Sequence, residues 1–122
     1  MGRKSKYQKN YERWDKYYRR WKKEETFCPA FGQNVLITKM GWNHLTTSRF
    51  RTKVERIERM EALPLAKKLI KVSTTHQEYR YKNGWHYFAL VGIIGGVKIK
   101  VILTARDNKK EKNFFSVMVQ YK

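Results

Sequence analysis

Near Thr75 the hydrophobic period of this chain changes from helical spacing to two, and no other feature limits the fold as much. Upstream, from Lys4 to about Glu25, no Gly or Pro intervenes. Tyr7, Tyr11, Trp14, Tyr18 and Trp21 recur there at steps of four, three, four and three, which puts five aromatics on one helical face. The other faces carry Lys6, Lys9, Arg13, Lys16, Arg19, Arg20, Lys22 and Lys23. Either the stripe docks on the core of its own domain, or the helix is an arm that stacks bases, a partner-binding helix or a membrane-surface helix. The scarcity of Leu, Ile and Phe in the stripe weighs against the last.

Cys28-Pro29-Ala30-Phe31-Gly32 breaks this helix, Val35-Leu36-Ile37 suits a short strand, and Thr38 suits the cap of a turn through Trp42 and His44. Thr52 opens a second helix. Val54, Ile57, Met60 and Leu63 mark its buried face, and Glu55, Arg56, Glu58, Arg59 and Glu61 its wet one. Pro64, favoured at a first helical position, starts a short helix through Leu65, Leu69 and Ile70.

Downstream, Gln77 to Lys82 reads as a strand, Asn83-Gly84 as a tight hairpin turn, Trp85 to Ile94 as the next strand and Gly95-Gly96 as a second turn. Val97, Ile99, Val101, Leu103 and Ala105 face one way on the third strand; Lys98, Lys100, Thr104 and Arg106 face the other. Asp107 to Lys112 is a charged loop, and Asn113 to Tyr121 a fourth strand. The expected fold is α+β, with N-terminal helices packed on a four-stranded antiparallel meander. Residues 1–27 form the basic aromatic helix or arm, and 28–122 one α+β domain.

Function enters through charge. Lys and Arg number 28 against 10 Asp and Glu, a formal net charge of +18 on 122 residues. Such a surface seeks phosphate, and aromatics threaded among the cations offer faces for unpaired bases, so RNA is the expected partner. The longest apolar stretch, Tyr87 to Val97, is too short to span a bilayer, and the N-terminus is charged, so no membrane and no signal peptide are expected. A lone cysteine, Cys28, suits a reducing cytoplasm. Three His and one Cys show no metal-ligand spacing, and Gly92 to Gly96 lacks the Lys-Ser/Thr and helix of a phosphate loop; neither metal nor cofactor is expected.

RNA cleavage by internal transesterification needs a base for the 2′-hydroxyl proton, an acid for the 5′-oxygen and cations for the crowded phosphorane, and no metal. His44, in Gly41-Trp42-Asn43-His44-Leu45, lies just ahead of Arg49 and Arg51, so one stretch supplies a proton-transfer group and two phosphate clamps. His44 could equally hydrogen-bond a loop carbonyl. His76, at a helix-to-strand junction, and His86, inside a strand in phase with Phe88 and Leu90, are weaker candidates. Ser116 is an isolated hydroxyl in an apolar strand.

The order Val35-Leu36-Ile37-Thr38, Gly41-Trp42-x-His44, an Arg-rich helix and an antiparallel sheet ending Phe114-Phe115-Ser116-Val117 resembles the barnase/EndoU/colicin/RelE nuclease superfamily. The small phage-associated and toxin-type branches are the most similar, and the resemblance covers Val35 to Tyr121. It implies helices before a four-stranded antiparallel sheet and a metal-independent RNase. His44 would take the proton-transfer role, Arg51 or Arg49 would hold the phosphate, and Ser116 would be the strand hydroxyl. Strand alternation adds Lys98, Lys100 and Arg106 as RNA contacts, and the basic helix adds Arg19 and Arg20. Unlike the barnase type, the chain offers no evident glutamate base, and unlike the RelE type it has this early His.

The leading expectation is a small metal-independent endoribonuclease, toxin-like, held in check by an acidic antitoxin or immunity protein. The alternative is a non-catalytic RNA-binding protein of ribosomal or phage-assembly type. A DNA-binding module ranks last, because the helix from Thr52 to Leu63 alternates Glu with Arg on its exposed face and those carboxylates would oppose phosphates.

Overall fold

The computed structural model describes residues 3–49 and 51–121. Of the predicted segments 1–27 and 28–122, residues 1, 2, 50 and 122 lie outside those described. Helix α1 (Lys6–Lys22) starts where the Ser5 hydroxyl accepts from the Gln8 N–H at 3.0 Å. Its stripe docks on the core: Trp14, Tyr18 and Trp21 are buried, and Tyr7 packs against them partly covered. Strands β1 (Phe27–Cys28) and β2 (Gln33–Leu36) follow. Helices α2 (Lys39–Thr47), α3 (Lys53–Glu61) and α4 (Leu63–Val72) come next, then β3 (Glu78–Lys82), β4 (Trp85–Ile94), β5 (Val97–Arg106) and β6 (Lys112–Tyr121). No helix among the described residues is long and apolar enough to cross a membrane.

The fold is α+β, and its sheet is larger than the expected four-stranded meander. Six strands run in the order β1-β2-β6-β5-β4-β3. The antiparallel meander β3 to β6 is present, and its turns follow from local chemistry. Asn83 and Gly84 have φ of 50° and 83°, as a two-residue hairpin turn of the mirror-image type requires. The extension is the β1–β2 hairpin, whose Val35 and Leu36 pair parallel to Lys112 and Asn113 of β6. That pairing joins segments far apart in sequence, and only two residue pairs make it. Beyond them β6 is paired only with β5, and α2 and α3 contact it.

Two other expectations change. The turn after Thr38 is a nine-residue helix, α2, pressed so closely on β6 that a Cβ on Gly41 would lie 2.6 Å from the Phe114 carbonyl oxygen and 2.7 Å from the Tyr18 hydroxyl. Only glycine fits there. Of the face expected to be buried in the second helix, Met60 and Leu63 are fully buried and Ile57 packs against the core, but Val54 is 75% exposed, because α3 meets the core only through its later turns. Arg56 and Arg59, assigned to the wet face, are half-buried.

Candidate active site

α2 places His44 against β6, with its ring stacked 4.0 Å from the Phe115 ring at 27°. A register shift in the β5–β6 ladder brings this contact about. Ile102 pairs with Ser116 and Leu103 with Phe114, which leaves Phe115 as an extra residue. Phe114 and Val117 stay fully buried under the helices, while Phe115 and Ser116 both border a cleft on the opposite face. Strict alternation would have sent these two side chains to opposite faces.

The arginines arrive through helix ends. The last carbonyls of α2 lack partners within the helix. Arg51 Nη1 donates to the His44 carbonyl at 2.7 Å, and Arg56 Nη2 to the Ser48 carbonyl at 2.8 Å. The other arm of Arg51, Nη2, stands 3.1 Å from His44 Nε2. A guanidinium only donates, so Nε2 accepts and carries no proton. From α3, Arg59 Nη1 donates to the Ser116 hydroxyl at 3.1 Å and to the Val117 carbonyl at 3.4 Å. Among the described residues neither Arg51 nor Arg59 makes an ion pair. Burial pulls both below their ordinary pKa; Glu55 opposes this at both and Glu58 at Arg59, while Arg56 adds to it at Arg51 and Arg51 adds to it at Arg59. Half-buried cations whose nearby carboxylates, Glu55 and Glu58, make no direct pair with them leave an attractive site for an anion.

The cleft has a volume of about 680 Å³. His44, Phe115 and Ser116 form one wall, Tyr87, Ala89, Lys100 and Ile102 belong to β4 and β5, and Glu78, Arg80 and Lys82 line it from β3. Glu78 Oε1 is 2.7 Å from Lys100 Nζ. Of the residues read from sequence, His44, Ser116 and Lys100 meet in this cleft, and Arg51 stands beside His44. The rest do not join them. Arg49 is exposed after α2, and Lys98 lies on β5 outside the cleft lining. Arg106 sits at the end of β5 over the Trp85 ring, at 5.0 Å. Arg19 pairs with Asp15 at 3.1 Å, and Arg20 stands over Tyr17, both on α1. Sequence reading missed Arg59 and Glu78. Parity within Glu78-Tyr79-Arg80-Tyr81-Lys82, which sends Glu78 to the same face as Arg80 and Lys82, was the one available signal for Glu78.

Burial first, then the charges of Arg51 and Arg59, push the His44 pKa from 6.5 to about 4. At neutral pH the ring is uncharged. Between pH 6.5 and 4 the unfolded chain therefore binds a proton at His44 that the native state refuses. Stability falls as the pH drops through that window. Urea midpoints at pH 7 and pH 4.5 are expected to differ less in His44→Gln than in the parent; an equal difference would show that His44 is not held neutral.

Set against known proteins, the chain matches no family model, no curated protein and no solved structure. The functional reading therefore rests on this geometry.

Proposed function

We propose that the chain is a small metal-independent endoribonuclease, of the kind found in the nuclease superfamily it resembles, that cuts RNA by attack of its own 2′-oxygen. The observation carrying this is the meeting of an unprotonated imidazole, at the wall of a cationic cleft, with two guanidiniums that stand behind that wall against His44 and Ser116 and make no ion pair among the described residues. A phosphate entering the cleft draws Arg51 from His44 Nε2 and is held by Arg51 and Arg59. The freed Nε2 takes the 2′-hydroxyl proton, the 2′-oxygen bonds to phosphorus, and the bond from phosphorus to the 5′-oxygen breaks. Lys100, leaving its pair with Glu78, protonates that leaving oxygen and recovers its proton from solvent, to which His44 releases the one it took. The products are a 2′,3′-cyclic phosphate and a 5′-hydroxyl.

Arg59 pins the Ser116 hydroxyl at the cleft wall, where it can donate to a phosphate oxygen. Arg80 and Lys82 extend the cation row for the flanking backbone. An acidic antitoxin or immunity protein would inhibit by covering this open cleft. Cytoplasmic residence suits the substrate, and it suits Cys28, buried with its thiol pKa pushed up by desolvation. The alternative, RNA binding without cleavage, gains weight from the structural duty of Arg51 at the end of α2.

The deciding experiment incubates parent and His44→Ala with total RNA in excess EDTA and identifies the phosphates at the cut ends. Cyclic phosphates made by the parent and reduced by about 10²–10⁴-fold in the variant are expected. Intact RNA bound equally by both would favour the non-catalytic reading.

A further inference from the structure

Strand β3 is the open edge of the sheet, and all five of its residues are exposed. Glu78, Arg80 and Lys82 point to the cleft face, so alternation sends Tyr79 and Tyr81 to the other, helix-bearing face. The register sets Tyr79 opposite Phe88 and Tyr81 opposite His86. The rings touch in series: Tyr81 to His86 at 4.9 Å, His86 to Tyr79 at 5.8 Å, and Tyr79 to Phe88 at 5.2 Å. Tyr79 and Tyr81 remain 52% and 51% exposed.

These rings are held in place. Asp107 accepts from the Tyr81 hydroxyl at 2.7 Å and from His86 Nε2 at 2.8 Å, so His86 Nδ1 is left to accept from the Tyr79 hydroxyl at 2.5 Å. Side chains already fixed lose little entropy when a flat ligand stacks on them. A cation stands beside the row: Lys112 Nζ lies 5.5 Å from the Phe88 ring. Tyr79 also borders the cleft, so the ring row and the cleft meet across β3.

We propose that Tyr79, Tyr81, His86 and Phe88 form a second RNA-binding surface, where unpaired bases of a single strand stack after its backbone has crossed β3 from the cleft. The inference rests on the cleft's being an RNA site. Charge selects the occupant: on a chain of net charge +18, with Lys112 beside the Phe88 ring and Arg80 and Lys82 on the cleft side of the same strand, a polyanion with flat bases fits better than a peptide strand added to the β3 edge. Stacking asks for unpaired bases, so the surface favours single-stranded over duplex RNA.

The test measures binding of a labelled twelve-nucleotide 2′-O-methyl oligouridine, which cannot be cleaved, and of a duplex of the same length. Tyr79→Ala/Tyr81→Ala is expected to weaken the single strand at least about tenfold and the duplex by less than about twofold, while Tyr79→Phe/Tyr81→Phe, which keeps the rings, retains the parent affinity. Unchanged single-strand affinity in the alanine pair would overturn the proposal and leave the edge to a peptide. So would equal loss in the phenylalanine pair. The nuclease reading fails separately: a parent that binds the oligomer through these tyrosines yet leaves RNA intact in EDTA has the second surface without the activity. A parent that cleaves long RNA no better than its alanine pair has the activity without the surface.

Discussion

Arg59→Ala and Arg51→Ala are each expected to lower kcat/KM on RNA by about 10²–10³-fold, the usual effect of removing one fixed donor to a developing anion. The two losses should not add, because both guanidiniums serve one phosphate. Their side effects separate them. Arg59 holds Ser116 and the Val117 carbonyl, so its removal also frees the Ser116 hydroxyl. Arg51 holds Nε2 of His44 and contributes, after burial, to the lowered pKa of that ring. With His44 as base, kcat/KM of the parent falls on the acid side only near pH 4, since that plot reports the free enzyme. In Arg51→Ala the acid limb moves up, toward but short of 6.5, because burial, the larger cause, remains. A limb that stays in place in Arg51→Ala, or a variant of either arginine as active as the parent, would remove the guanidiniums from the mechanism.

Legibility in the sequence followed the distance between interacting residues. The aromatic stripe of α1 and the turns at Asn83-Gly84 and Gly95-Gly96 lie within a few residues of what they organise, and the structure has the helix and both hairpins. The parallel contact of Val35 and Leu36 with β6 joins segments separated by most of the chain, and nothing local encodes it. The cleft was legible to the same extent. His44 and Arg51 are near in sequence and near in space. Arg59 reaches Ser116 across 57 positions, from a helix whose alternating Glu and Arg look like an ordinary solvated surface. The extra residue at Phe115 is less visible still: two successive aromatics in a strand give no sign of which one leaves the ladder. Local rules name the elements and some of the site; packing of the helices on β6 decides which side chains meet.

That packing begins with α1, so Trp21→Ala is expected to destabilise the protein by about 3–5 kcal/mol, within the range for losing a buried large aromatic. Trp21 is 1% exposed and meets Tyr18 edge-on at 5.9 Å and Phe114 at 5.2 Å. Its indole N–H donates at 2.8 Å to the hydroxyl of Thr26, itself fully buried. Alanine leaves a cavity and an unpaired buried hydroxyl together; Trp21→Phe keeps most of the volume and is expected to cost about 1–3 kcal/mol for the lost bond. Urea unfolding followed by circular dichroism separates the two. Phe114 immediately precedes the extra residue that turns Phe115 and Ser116 into the cleft, so Trp21→Ala should also lower turnover at temperatures where the variant is still folded. A variant as stable as the parent would mean that α1 is a detachable arm, and RNA affinity lost together with residues 1–27 would then be attributable to their cations alone.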